Sequence, residues 1–309
     1  MILCCGEALI DMIPVDGPGG RQAWRAVPGG ALFNCAIALG RLGAPAGLLT
    51  GLSSDSFGRL LKDALTHSSA DYSIAIATDR KTALAFVHLQ DGNAHYTFYD
   101  EGTAALGISI EDVAPLSSTV TTLVFGGISL VGEPCASTME AVQVRDREGR
   151  VVMLDPNVRP SFIDDPTAFR ERVWRMMRRS HIVKVSDDDL AWLYPDERSP
   201  EGGVRAILDM GPDIVLHTKG SVGATATLSS GQMVSVPAAP VEVVDTVGAG
   251  DTFNAGVLAA LFSRGALTPA NIRQVDAGTL REALVYGVKA AAFSVSKRGA
   301  EPPWKSDIV

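Results

Sequence analysis

Short apolar, β-rich runs alternate with helix-period segments along most of this chain, and that alternation leaves few folds open. MILCCGEALI (1–10) precedes GALFNCAIALGRLG (30–43), and AGLLTGL (46–52) precedes DSFGRLLKDALTH (55–67). A strand followed by a helix returns the chain to begin another strand in the same direction, and the helices cover the resulting sheet. The rhythm resumes later. VVMLDPN precedes PTAFRERVWRMMRRS, HIVKVS precedes DDDLAWLY, and DIVLHTKG follows a helix ending near Met210. The expectation is a single α/β domain over 1–309, a three-layer α/β/α sandwich around a mostly parallel sheet. No repeat of fixed period interrupts it.

Two stretches break the rhythm. Residues 11–28 are rich in Gly and Pro around a lone Trp24, and 82–99 read as a hairpin, ALAFVHLQ and AHYTFY about the turn Asp91-Gly92-Asn93. Together they suggest a small antiparallel sheet, from about 12–28 and 82–100, standing as a lid over the strand ends where α/β folds bind ligands. A hairpin that merely covers solvent-facing core is the alternative.

Composition narrows the partners. With 46% hydrophobic residues, mean hydropathy +0.17, net charge -8 and pI near 5.2, the chain has ample core. It lacks the basic field that a nucleic-acid backbone or an anionic membrane would require. Any phosphate must be met by local groups. Cys4, Cys5, Cys35 and Cys135 have no metal-ligand spacing and read as reduced core thiols. The N-terminal run meets Glu7 too early for a signal peptide, and no apolar run reaches membrane-spanning length. A cytoplasmic protein is expected.

Four groups of residues carry chemistry. In DTVGAGDTFNAGVLAALF (245–262), Gly248, Ala249 and Gly250 leave backbone N–H groups uncovered at the positive end of a helix, a nest for an anion. Asp251 follows directly, either as a helix cap or as a base that deprotonates a hydroxyl attacking a phosphate held in that nest. Asp11, with PGGALFN after it, brings Gly29, Gly30 and Asn34 toward a possible polyol grip, against which stands a turn Asp and a surface Asn. DPNVRPSF (155–162) places Asp155, Asn157 and Arg159 at a strand's C-terminal edge. There Arg159 either contacts phosphate or locks the loop by pairing with Asp155. HTKGSVG (217–223) is a Gly-rich turn, while GxxxxGK[ST] is absent and GEALID stands where a dinucleotide fold would show GxGxxG.

In this order the motifs resemble the ribokinase-like (PfkB) family of carbohydrate kinases over essentially the whole chain. PGGALFNCAIALGRLG is similar to the family's first signature and VVDTVGAGDTFNAG to its second. FGGISL, DPNVRPSF and KVSDDDLAWL are most similar to bacterial fructokinases. The resemblance implies an ATP-dependent kinase that phosphorylates a primary hydroxyl of a small neutral sugar, D-fructose to fructose 6-phosphate. It implies Asp251 as catalytic base, Gly248, Ala249 and Gly250 as anion hole, and Asp11, Gly29, Gly30, Asn34 and Arg159 on the substrate. Lys184, Ser186, Thr218, Gly220 and Gly223, with Gly250, fall on the nucleotide side. Mg²⁺ is the implied metal, and Asp245, Val247, Ser294 and Gly299 resemble a K⁺ site built from backbone. Relatives that dimerise through their lids imply a homodimer.

Two departures qualify the match. Family members often carry Asn-x-x-Glu near the metal and phosphates, whereas this chain has Ser186-Asp187-Asp188-Asp189, so any metal role of Asp189 runs through water. Asp100 stands where some relatives have Arg, which disfavours an acidic sugar such as 2-keto-3-deoxygluconate. A kinase for that sugar or for a nucleoside, and a sugar sensor without catalysis, remain the alternatives.

Overall fold

In the computed structural model, which describes residues 1–90 and 93–308, nine strands form the central sheet. Their order is Met233–Pro237, Gly223–Leu228, Ile214–Thr218, Ile182–Ser186, Val151–Asp155, Thr122–Gly126, Ile2–Cys5, Ala46–Leu49 and Ala70–Asp71. Pairing is parallel from Ile214–Thr218 to Ala70–Asp71 and antiparallel in the hairpins at the other edge. Successive strand residues enter opposite layers, as the two-residue period requires. Ile2 and Cys4 pack on one side with helices Ala31–Arg41, Ala249–Ser263 and Ala277–Val295; Leu3 and Cys5 pack on the other with Cys135–Asp146 and Pro166–Met177. Burial on both faces explains why these strands read as unbroken apolar runs. All four cysteines are buried and free. Among the described residues no helix is long and apolar enough to cross a membrane.

The structure corrects the sequence reading at two runs. MILCCGEALI is two strands, Ile2–Cys5 in the central sheet and Leu9–Asp16 in a separate one, so Asp11 lies within a strand of the smaller sheet. The break falls at Glu7, whose buried carboxylate accepts from the N–H of Ala31 (2.9 Å) and of Ser129 (3.2 Å). AGLLTGL likewise splits after Leu49, and Gly51–Ser53 pairs with Ile76–Thr78.

The smaller sheet has the order Gln22–Gly29, Leu9–Asp16, Ala83–Gln90, Asn93–Tyr99. Its two hairpins are antiparallel, but Leu9–Asp16 meets Ala83–Gln90 in parallel, so the sheet is not antiparallel throughout. The turn residues Asp91 and Gly92 lie outside the described residues.

Candidate active site

The helix Ala249–Ser263 starts from Gly248, which sits in the left-handed region (φ 74°) with no side chain capping the helix. A Cβ at Gly248 would also come within 2.6 Å of the Ala300 Cβ, so both conformation and space select glycine. Of the first-turn N–H groups, Ala249 has one long bond to the Thr246 carbonyl (3.3 Å). This end is open to an anion.

Asp251 is the third residue of that helix, not its cap. It is buried, and its Oδ2 accepts from Nδ2 of Asn34 at 3.0 Å across the core. Asn34 is therefore not a surface residue. Burial pushes the Asp251 carboxyl up to about 7, with Asp155 and Glu7 adding to the rise while the Asn34 bond and the Lys184 charge oppose it. A carboxyl balanced near neutral pH beside an anion nest can take a proton and return it.

Beneath the nest lies a cation. Lys184 Nζ sits 3.1 Å from Asp155 Oδ2 with both side chains buried, and a Cβ at Gly250 would lie 3.3 Å from the same ammonium. Although burial opposes the charge, Asp155, Asp189 and Asp251 hold Lys184 protonated. The loop-locking pair between Asp155 and Arg159 does not form, because Asp155 is taken from below by Lys184 and by Asn254 Nδ2 (2.7 Å). Arg159 is exposed, and its Nη1 donates only to the neighbouring carbonyls of Asn157 and Val158. Asn157 holds a left-handed backbone (φ 44°) and lines one cleft with Asp155, Asp251, Asn254, Ala31 and Gly126. Non-glycine residues in that conformation cluster at functional sites.

The smaller sheet carries Asp11, on the strand that pairs with Gln22–Gly29 just before helix Ala31–Arg41. Its carboxylate lies against Gly29, where a Cβ would approach Asp11 Oδ2 to 2.2 Å. Burial raises it to about 6, and it accepts no hydrogen bond from the described residues. Gly30 (φ 107°) precedes helix Ala31–Arg41 and leaves no room for a side chain above the Glu7 backbone.

Thr218, Gly220 and Gly223 lie at the turn between antiparallel strands Ile214–Thr218 and Gly223–Leu228. From Pro237, which pairs with Gly223, the chain runs to Gly248 through exposed Val241, Val243, Val244 and Val247. Ser186 is less available than its position suggests. Its hydroxyl donates to Asp189 Oδ2 (2.7 Å) and accepts from the Asp189 N–H in a capping box. The other Asp189 oxygen accepts from the Val158 N–H (2.7 Å), so this acid pins the 155–159 loop. Asp245 accepts from the N–H groups of Val247 (3.0 Å) and Gly299 (2.9 Å), and the buried Ser294 Oγ beside Val295 has no partner.

The sequence reading passed over Glu7 and Asn254 as site residues. Asn254 had a signal: it is an amide one turn after Asp251 on the same face of a mostly apolar helix.

Known proteins are similar to this chain in both sequence and fold. A "Fructokinase" from Rhizobium leguminosarum bv. trifolii is 45% identical over 281 residues, covering 91% of this chain and 86% of the relative. A Xylella fastidiosa fructokinase solved with bound ATP superposes with TM-score 0.87 at 26% identity, covering 97% of this chain and 93% of that one. A Vibrio cholerae O395 fructokinase, in its fructose, ADP and calcium ion bound form, gives TM-score 0.82 at 26% identity, covering 97% and 94%. The profile of the pfkB family of carbohydrate kinases matches residues 1–307, and the chain belongs to that family.

Proposed function

We propose that this protein is an ATP-dependent fructokinase, transferring the γ-phosphoryl group of ATP to the primary hydroxyl of D-fructose and releasing ADP and fructose 6-phosphate. The observation that carries the reading is Asp251: a buried carboxyl at about 7, held by Asn34 at the open start of a helix. Asp251 takes the hydroxyl proton as the sugar oxygen bonds to phosphorus and the bond to the ADP oxygen breaks. The N–H groups of Gly248, Ala249 and Gly250 meet the charge on the transferring group, with Lys184 behind them. Asp11, unpartnered among the described residues, takes sugar hydroxyls with Asn34 and the backbone at Gly29 and Gly30. Arg159 faces the phosphate from the opposite lip.

The nucleotide lies along the turn of Thr218, Gly220 and Gly223. The exposed valines of 241–247, which lead from that turn to the anion nest, offer apolar cover for a base. Ser186 is left to its cap. Among the described residues no cluster of His, Cys, Asp or Glu is gathered for a metal, so the donor set fits Mg²⁺ only as its nucleotide complex, held through phosphate oxygens. The unpartnered Ser294 hydroxyl, with the backbone at Asp245, Val247 and Gly299, fits K⁺, which would add positive charge below the nest.

The four strands Gln22–Gly29, Leu9–Asp16, Ala83–Gln90 and Asn93–Tyr99 act as the lid. Exposed Val15, Trp24 and Tyr99 on that sheet suit a homodimer. The free thiols suit the reducing cytoplasm. An ADP-release screen over neutral sugars, sugar acids and nucleosides tests the assignment. Fructose should be the best acceptor. Turnover confined to 2-keto-3-deoxygluconate or a nucleoside would move the chain to another branch of the fold, and fructose binding without ADP release would make it a sensor.

A further inference from the structure

The polar group under the anion nest is more elaborate than a scaffold needs. Asn254, Asp155 and Lys184 are 4%, 5% and 4% exposed, and they come from the helix Ala249–Ser263 and two adjacent strands of the central sheet. The Asn254 amide donates to Asp155 Oδ2 (2.7 Å), the oxygen that also meets the Lys184 ammonium (3.1 Å). The other end of that amide, Oδ1, is buried with no partner. Apolar side chains of similar volume would join helix and sheet without desolvating an ion pair and orphaning an acceptor. Stability does not account for the arrangement, whereas aiming a charge does.

We infer that Asn254 is a positioning residue for phosphoryl transfer: by holding Asp155, it fixes the Lys184 ammonium against Gly250 at the mouth of the anion hole. The inference deepens the fructokinase reading and rests on it. The Asn157 N–H holds Asp155 Oδ1 (3.1 Å), and the Asn254 amide is the second anchor, the one that keeps Oδ2 turned to the lysine. Without the amide, Asp155 draws Lys184 away from the first turn, and the nest loses its cation. Asp251 also feels the change. The groups facing it are Asp155 and Lys184 from the sheet, Glu7 from the loop after the first strand, and Asn34 and Cys35 from helix Ala31–Arg41. With the one cation withdrawn from this set, the Asp251 carboxyl holds its proton to higher pH.

The test compares Asn254→Leu, Lys184→Met and the double variant in the full chain with ATP and fructose. Asn254→Leu should lower kcat about tenfold or more and leave the fructose KM within about twofold, because the effect reaches the phosphoryl group and not the sugar. The acid limb of the kcat profile should move upward. The double variant should be no slower than Lys184→Met alone, since one interaction cannot be lost twice. Losses that multiply, or an unmoved acid limb, would overturn the inference and leave Asn254 a structural residue. If Asn254→Leu does not fold, Asn254→Ser, which keeps a shorter donor, should show the same pattern in smaller degree, and wild-type behaviour from it would equally overturn the inference. The Asp251 carboxyl titration, followed by carbon-13 labelling of aspartate without any sugar, should shift upward in Asn254→Leu. That readout separates a failure of this inference from a failure of the fructose assignment, which would show as an inactive wild type.

Discussion

The floor and the flap of this site are built on opposite principles. The floor, where Asn34, Asp251, Asn254, Asp155 and Lys184 meet, is buried, joined by bonds of 2.7–3.1 Å and enclosed by the larger apolar core. The flap, the four-stranded sheet that carries Asp11, has a separate small core of Leu9, Ala83 and Ala85, and its outer strand ends are exposed. Few buried contacts mean a low free energy of local opening, and a dense polar cluster means fixed geometry. Charge that develops during reaction needs fixed partners, while a sugar must enter and leave. Under the proposed function the first task falls to the helix start and the second to the sheet that carries Asp11.

The comparison breaks first at Asp251, where the largest effect is expected. Asp251→Asn keeps the shape but cannot accept a proton, so kcat should fall by roughly 10² to 10⁴. The wild-type profile of kcat/KM should rise with pH through about 7, where the base form appears, and the variant should lose that limb. Stability carries the opposite sign. The folded carboxyl titrates above its ordinary 3.8, so the folded protein binds the extra proton between those values and loses stability as pH rises through them. Asp251→Asn should therefore gain on the wild type in melting temperature between pH 5 and pH 8. A variant that retains more than about a tenth of wild-type kcat, with chemistry shown to be limiting, would end the base assignment.

Arg159 tests the lip between the two regions. Arg159→Lys keeps the charge and loses the planar fork, and a phosphate role predicts a kcat several-fold to about tenfold lower. Wild-type kinetics would remove Arg159 from the reaction. On the flap itself, Asp11→Ala should raise the fructose KM about tenfold with a smaller change in kcat, because its bond to the sugar forms before the transition state. An unchanged KM in the folded variant would take Asp11 out of the site. The smallest effect sharpens the contrast in dynamics. Fructose should slow amide hydrogen exchange in Leu9–Asp16 and Gln22–Gly29 more than in Cys135–Asp146, a helix of the far layer. Uniform protection would mean that the small sheet does not close.

The large-scale fold was legible because periodicity is a local property. Runs such as VVML and IVLH could be buried only between two layers, and the helices between them forced parallel pairing. The open helix start was legible too, since Gly248, Ala249, Gly250 and Asp251 are adjacent and the backbone alone makes it. The break at Glu7 was not, because it depends on N–H groups at Ala31 and Ser129 that sequence separates widely. Nor was the choice between cap and base at Asp251, which both readings of the motif allowed. Tertiary structure removed only the cap, by making Asp251 the third residue of the helix and placing Asn34, 217 positions away, on its carboxylate; the base remains the proposal. Lys184 and Asp155 show the same division. Asp155 read as an end-of-strand residue that could lock a loop through Arg159, and Lys184 as one that the resemblance put on the nucleotide side. Only the register of neighbouring strands made them partners and left Arg159 free. Sequence fixes which groups can be charged, flexible or apolar; burial and neighbours across the sheet fix how strongly each charge is felt and where it points.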